Sequence, residues 1–186
     1  LSWHEYNNGM LPAMVLDLGI SKTNRVLRAA TFGNGVYERN LPEVLFTTTS
    51  IAVKQGWNMI SIPLKVDDGR KTILFPNALS QAYEYWNGYV ADDTIRNRKG
   101  DWLKFPLLQN LSITGYPRNI DTVDVVTGWN LIGTISKSVP TSTVLQIPDN
   151  NILSSYYSYD ASYTIADVLL PGKAYWVKVR ENGKLI

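Results

Sequence analysis

Chemistry has few places to reside in this chain, and the most suggestive are two short phrases that set a tryptophan two positions before a lysine. They are Trp102 with Lys104 in DWLKF and Trp176 with Lys178 in AYWVKV. Alternate residues of an extended strand share a face. Each Trp therefore stands with its Lys, opposite Leu103 and Phe105 in the first phrase and opposite Tyr175, Val177 and Val179 in the second. The wholly apolar side is the core side, and an ammonium group must reach water, so the indoles belong to the outer side. A flat aromatic ring beside a cation or a hydroxyl suits stacking against a sugar, whose axial C–H groups form an apolar patch. Tyr85, Trp86 and Tyr89 beside Asn87 would extend such a platform, as would Tyr157, Tyr159 and Tyr163 beside Asp160. The same spacing equally describes a Trp laid over a sheet edge under a lysine stem, so both readings stay open. Trp57 and Trp129, each at the head of an apolar strand, read as structural.

Catalytic machinery is poorly supplied. A single histidine, His4, makes no metal cluster, and no nucleophile, base and acid stand with it. Asp67–Asp68 and Asp92–Asp93 are adjacent acids, which point to opposite faces of a strand rather than across a cleft as glycoside hydrolysis requires. They read as solvated turn residues. The DDG run at 67–69 and the DN pair at 149–150 offer hard oxygen ligands, but neither has the length or alternation of a calcium loop. Gly33-Asn34-Gly35 lies between strands rather than before a helix, so it is no phosphate loop. No enzyme and no cofactor are expected.

The totals agree with that restraint. There is no cysteine, which removes thiolate metal sites, disulfides and cysteine nucleophiles. Net charge is +2, and only Arg96, Arg98 and Lys99 cluster, so no nucleic-acid surface is implied. No apolar run approaches the roughly 20 residues of a membrane span. The opening LSWHEY has no basic, apolar and cleavage-site pattern of a leader and reads as the interior of a longer pattern, so a fragment is expected.

Stepping from these residues to their supports, short β-type runs dominate: 14–20, 25–31, 35–39, 57–64, 82–86, 101–105, 124–135, 154–159 and 174–179. Gly, Asn, Asp or Pro punctuate them. Only 77–82 and 164–170 suit a turn or two of helix. Gly56-Trp57-Asn58 returns as Gly128-Trp129-Asn130. With a two-residue insertion, Tyr83, Tyr85 and Tyr89 fall on Tyr157, Tyr159 and Tyr163, and Trp102 and Lys104 on Trp176 and Lys178. Three landmarks in order imply one unit of roughly 70 residues written twice.

Two resemblances attach to these phrases. Thr31, Gly33, Gly35, Val36 and Tyr37, with Asn34 where an Arg is usual, resemble the closing blade of sialidase-repeat β-propellers, the type of family 74 glycoside hydrolases and sortilin-like proteins. The Asp-box of those propellers is missing. The tandem half is similar to the GWNLIS-type C-terminal repeats of exported bacterial surface proteins, including cargo of the type IX secretion system. Leu170 to Lys178 match their L-x-P-G-K-G-Y-W-V-K phrase, whereas Lys99, Gly100, Asp101 and Trp102 depart from it. The second resemblance implies a cell-surface or extracellular setting and no enzymatic role; the first implies a blade that neighbours cover, either further upstream domains of the same polypeptide or the tandem repeats themselves.

The expected fold is all-β. Repeats at 52–120 and 121–186 pack with approximate two-fold symmetry as a β-sandwich or as paired small barrels, and a linker at 45–51 joins them to a blade-like segment at 1–44. The expected function is non-catalytic polysaccharide binding through Trp102, Lys104, Trp176, Lys178, Tyr85, Trp86, Tyr89, Tyr159 and Tyr163. The alternative is a structural, sorting-adjacent or protein-docking module that keeps those aromatics inside. Neither reading involves nucleic acid or membrane insertion.

Overall fold

Strands and turns make up nearly all of the computed structural model, which describes residues 9–21, 23–41 and 46–186; His4 lies outside them. The fold is all-β, with one four-residue α-helix, α1 (Lys71–Leu74), and one 3-10 turn at Thr141–Thr143 among the described residues. The chain forms two compact units, Leu1–Val44 and Leu45–Ile186.

The first unit is an antiparallel sheet of β1 (Val15–Ser21), β2 (Val26–Thr31) and β3 (Val36–Asn40) in that order. The phrase that carries the propeller resemblance is the β2–β3 turn. Thr31 donates to the Gly35 carbonyl from both its amide (3.0 Å) and its hydroxyl (2.7 Å). Gly33 and Gly35 have φ of +83° and +77°, the left-handed region that favours glycine.

The second unit has two halves. The first runs β4 (Thr47–Val53), β5 (Gly56–Ile60), β6 (Leu64–Lys65), α1, β7 (Ala82–Tyr85), β8 (Tyr89–Asp92), β9 (Asp101–Phe105) and β10 (Gln109–Pro117). The second runs β11 (Val123–Val125), β12 (Gly128–Ile132), β13 (Val139–Pro140), β14 (Gln146–Ile147), β15 (Tyr156–Asp160), β16 (Ser162–Ala166), β17 (Val168–Leu169), β18 (Tyr175–Val179) and β19 (Gly183–Leu185). Each half is built on an antiparallel four-stranded sheet of the same order, β5-β9-β7-β8 and β12-β18-β15-β16. A three-stranded sheet accompanies each, β4-β10-β6 in the first half and β11-β19-β14 in the second.

Alternation decides what each large sheet buries. Ile60, Ala82, Leu103 and Phe105 point to one side and join Ile51, Val53, Leu111 and Ile113 of β4 and β10 in a closed cluster. In the second half Ile132, Tyr156, Val177 and Val179 do the same with Val125 and Leu185. Each half is therefore a small two-layer sandwich with its own core. No sheet among the described residues closes on itself, so the expected alternative of paired barrels does not hold.

Two local expectations fail for identifiable reasons. The stretch 45–51, expected as a linker because TTTS looked like spacer, contributes to β4. Thr47 to Val53 pair in continuous register with Gly115 to Gln109, and Thr48 and Thr114 share a hydroxyl bond of 2.8 Å. Threonine favours a half-buried pleat as readily as a linker. The helical turns expected at 77–82 and 164–170 are turn and strand instead, and the one helical turn falls at 71–74.

The GWN signature has a clear local cause. Gly56 and Gly128 sit at φ of +90° and +96°, and each following Asn folds back on the approaching chain. The Asn58 amide donates to the carbonyls of Lys54 (2.8 Å) and Gly56 (3.0 Å), while the Lys54 N–H donates to Asn58 Oδ1 (2.9 Å). Asn130 repeats all three bonds with Val126 (2.7 and 2.9 Å) and Gly128 (3.1 Å). Only a side chain with both amide donor and carbonyl acceptor closes this loop. Asn58→Ala and Asn130→Ala are each expected to cost about 1–2 kcal/mol, read as a lowered urea midpoint with unchanged slope. Losses below about 0.5 kcal/mol in both would show that the loop closes without them.

Candidate functional site

The other side of each large sheet is aromatic. In the first half Trp57, Met59, Tyr83, Tyr85, Tyr89, Trp102 and Lys104 share it, because Trp57 pairs with Lys104, Met59 with Trp102, Tyr83 with Trp102 and Tyr85 with Tyr89. In the second half the residues are Trp129, Leu131, Tyr157, Tyr159, Tyr163, Trp176 and Lys178, in matching register.

These two sides meet. Tyr85 of the first half lies edge-on to Trp176 with ring centroids 4.8 Å apart, and Tyr159 of the second half lies edge-on to Trp102, also at 4.8 Å. Met59, Leu131 and Ala174 fill the middle. The backbones approach closely enough to hydrogen-bond reciprocally, Gly100 N–H to Leu131 O (3.1 Å) and Ala174 N–H to Met59 O (3.3 Å). A Cβ on Gly100 would lie 2.4 Å from that of Ala174, so a glycine is required at this crossing.

Trp102 and Trp176 are consequently 8% exposed, which corrects the inference that a lysine neighbour places them in water. Alternation assigned their side correctly, away from Leu103 and Val177. That side is covered by the opposite half at Trp102 and Trp176, and the lysines lie on its open part. The GWN tryptophans are the exposed ones instead, Trp57 at 43% and Trp129 at 41%.

Two open grooves flank the seam. One, of about 470 Å³, is lined by Tyr85, Trp129, Tyr157, Tyr163 and Trp176. The other, of about 440 Å³, is lined by Trp57, Tyr83, Tyr89, Trp102, Tyr159 and Tyr163. In each, the closing Trp forms the floor and the GWN Trp the wall, with indole planes nearly perpendicular at 6.3–6.4 Å. Tyr163 belongs to both. Trp102 Nε1 is buried against the Tyr89 hydroxyl. Burial first, and then the neighbouring Tyr163, raise the pKa of the Tyr89 hydroxyl.

Of the residues chosen from sequence, Tyr85, Tyr89, Trp102, Tyr159, Tyr163 and Trp176 line the grooves. Lys104 and Lys178 line neither groove and lie directly across the ladder from Trp57 and Trp129. Trp86 is apart, in the β7–β8 turn under the Lys99 ammonium, which lies 5.0 Å from its ring centre. Trp57 and Trp129, set aside as structural, and Tyr83 are groove residues that sequence reasoning left out, while Tyr157, read as an extension of the platform, lines the first groove. Pairing the GWN strand with the WxK strand would have put all four on the aromatic side.

The candidate acids lie elsewhere. Asp68 is held by Arg70 and sits below the usual carboxylate range because of that bond. Asp92 accepts from the Thr94 amide (2.8 Å), which lowers its pKa, and it also pairs with Arg96. Asp160, which lines neither groove, is tied to Lys54. No group of three His, Cys, Asp or Glu among the described residues is placed to hold a metal ion. One buried carboxyl, Asp101, projects from β9 into the core side at 2% exposure with Oδ2 unpartnered. Burial first, then Glu84 and Asp92, push its pKa up to about 7 against the pull of Arg96 and Lys99.

The site's chemistry is thus stacking, with donor groups at its margins. No protein-family model matches the chain, and no curated protein or solved structure matches it.

Proposed function

We propose that the unit 45–186 is a non-catalytic carbohydrate-binding part of a larger exported protein, holding polysaccharide at or outside the cell surface. The observation that carries this reading is the pair of reciprocal grooves lined by Trp and Tyr alone. Rigid aromatic walls at this spacing accept the apolar faces of sugar rings at little entropic cost. The absence of a carboxylate from either lining supports binding without hydrolysis. The reciprocal contacts and matched strand orders support two copies of one β-unit, and two tethered grooves raise a weak single-site affinity through effective concentration.

The test is binding to an array of soluble and insoluble polysaccharides. Trp57→Ala with Trp129→Ala is expected to weaken binding roughly 30-fold or more, as removal of a central aromatic anchor does. Both rings are exposed at the wall, so near-ultraviolet circular dichroism should still report a folded unit. A folded wild type that binds no polysaccharide would overturn the reading.

The burial of Trp102 and Trp176 favours a second reading, a structural or protein-docking module whose aromatics serve the seam. It predicts that no glycan is retained and that the Trp57 and Trp129 variant differs from wild type only in stability.

A further inference from the structure

We propose that the ligand is an anionic polysaccharide, with sugar rings in the aromatic grooves and carboxylate or sulfate groups meeting Lys104 and Lys178. This rests on the carbohydrate reading and narrows it. In both halves the residue directly across the ladder from the groove-wall tryptophan is a lysine, Trp57 with Lys104 and Trp129 with Lys178. Cross-strand partners lie about 5 Å apart at Cβ and share a face, so each lysine leaves the sheet on the face of the exposed indole, and its long stem gives it reach toward that groove. Both lysines are exposed, and neither has an ion-pair partner among the described residues.

The remaining polar groups point the same way. No Asp, Glu, Asn or Gln lines either of the two grooves. Asp160, the carboxylate that follows Tyr159 in the chain, is already bonded to Lys54 through both oxygens. The Trp102 Nε1–H is buried against the Tyr89 hydroxyl and is closed to a ligand. Tyrosine hydroxyls both donate and accept, so the charge preference comes from the two lysines, with no carboxylate in either lining to oppose an anion. A chain of uronates or sulfate esters supplies acceptor oxygens and the opposite charge.

The experiment uses the whole chain and affinity electrophoresis or calorimetry at 50 and 300 mM salt. Four probes distinguish the sources: polygalacturonate, its carboxyl-reduced form, chondroitin sulfate and desulfated chondroitin. The expected result is binding to at least one anionic polymer roughly tenfold tighter than to its neutralised or desulfated counterpart, weakening as salt rises. Lys104→Gln with Lys178→Gln should lose about that factor and most of the salt dependence. Preference for the polyuronate identifies carboxylate, and preference for the sulfated chain identifies sulfate. Equal affinity for charged and neutralised polymers, or a salt dependence that persists in the lysine variant, would overturn the anionic assignment and leave carbohydrate binding standing. Failure to bind any polysaccharide, tested also against neutral glucan and xylan, would remove the broader reading instead.

Discussion

Replacing Trp176 by alanine is expected to destabilise the second unit by about 3–5 kcal/mol, and replacing Trp102 by about as much. Each indole is 8% exposed and fills the seam with Met59, Leu131 and Ala174. Each also loses an edge-to-face partner from the opposite half, Tyr85 or Tyr159 at 4.8 Å, an arrangement worth about 0.5–1.5 kcal/mol beyond area alone. Equilibrium urea unfolding measures the effect. Because the two tryptophans share one cluster, the double variant should depart from additivity, and a double-mutant cycle reads the coupling. Phenylalanine at either site should recover much of the loss. Single losses under about 1 kcal/mol would mean that the backbone bonds across the seam, and not the rings, hold the halves together. Loss of ligand in Trp102→Ala or Trp176→Ala would therefore say little about contact, which is why the exposed Trp57 and Trp129 carry the binding test.

A stability that falls as the solution turns from mildly acidic to neutral is the second expected result. Asp101 is buried with an unpartnered Oδ2, and its carboxyl is raised to about 7 by burial and by Glu84 and Asp92. A carboxyl whose folded pKa lies above its unfolded value favours folding when protonated. Its contribution is complete below about pH 4, is lost as pH rises through about 7, and stays constant above that. Each pH unit inside the window removes at most about 1.4 kcal/mol, or roughly 4 kcal/mol in all. Asp68, Asp92, Asp124 and Asp160 are lowered by hydrogen bonds and act in the opposite sense, losing stability only as pH falls through their own depressed values. The unit should therefore be most stable near pH 4–5. Asp101→Asn should flatten the slope between pH 5 and 7.5 and exceed wild type at pH 8. A wild-type stability that is level across that range would refute the assignment.

The sequence made the repeated sheets legible because rare residues marked them. GWN, the tyrosine ladder and the WxK strand each recur in order, and each occupies a corresponding strand of the two sheets. Alternation also sorted Leu103, Phe105, Val177 and Val179 into the cores correctly. What alternation does not reveal is what lies over a face. Lys104 and Lys178 showed that the aromatic side reaches water somewhere, yet the same side is sealed two residues away, where Trp102 and Trp176 meet the opposite half. Strand pairing was the missing information, since the partner of Lys104 is Trp57 and the partner of Trp102 is Met59. The threonine-rich β4 escaped notice because its partner β10 lies more than fifty residues downstream, and nothing local separates an edge strand from a spacer.

The shared seam makes binding and assembly one equilibrium. Tyr85 of the first half lines the groove whose other walls belong to the second, and Tyr163 of the second half lines both. A groove exists only while the halves are docked, and residues 118–122 tether them like a covalent dimer. Any ligand seated in a groove must then oppose separation of the halves by mass action, gaining about 2.7 kcal/mol of apparent stability at a hundredfold excess over its dissociation constant. Saturating ligand would slow proteolysis at the 118–122 tether, none of whose residues lines either groove, and the protection would report occupancy of the grooves.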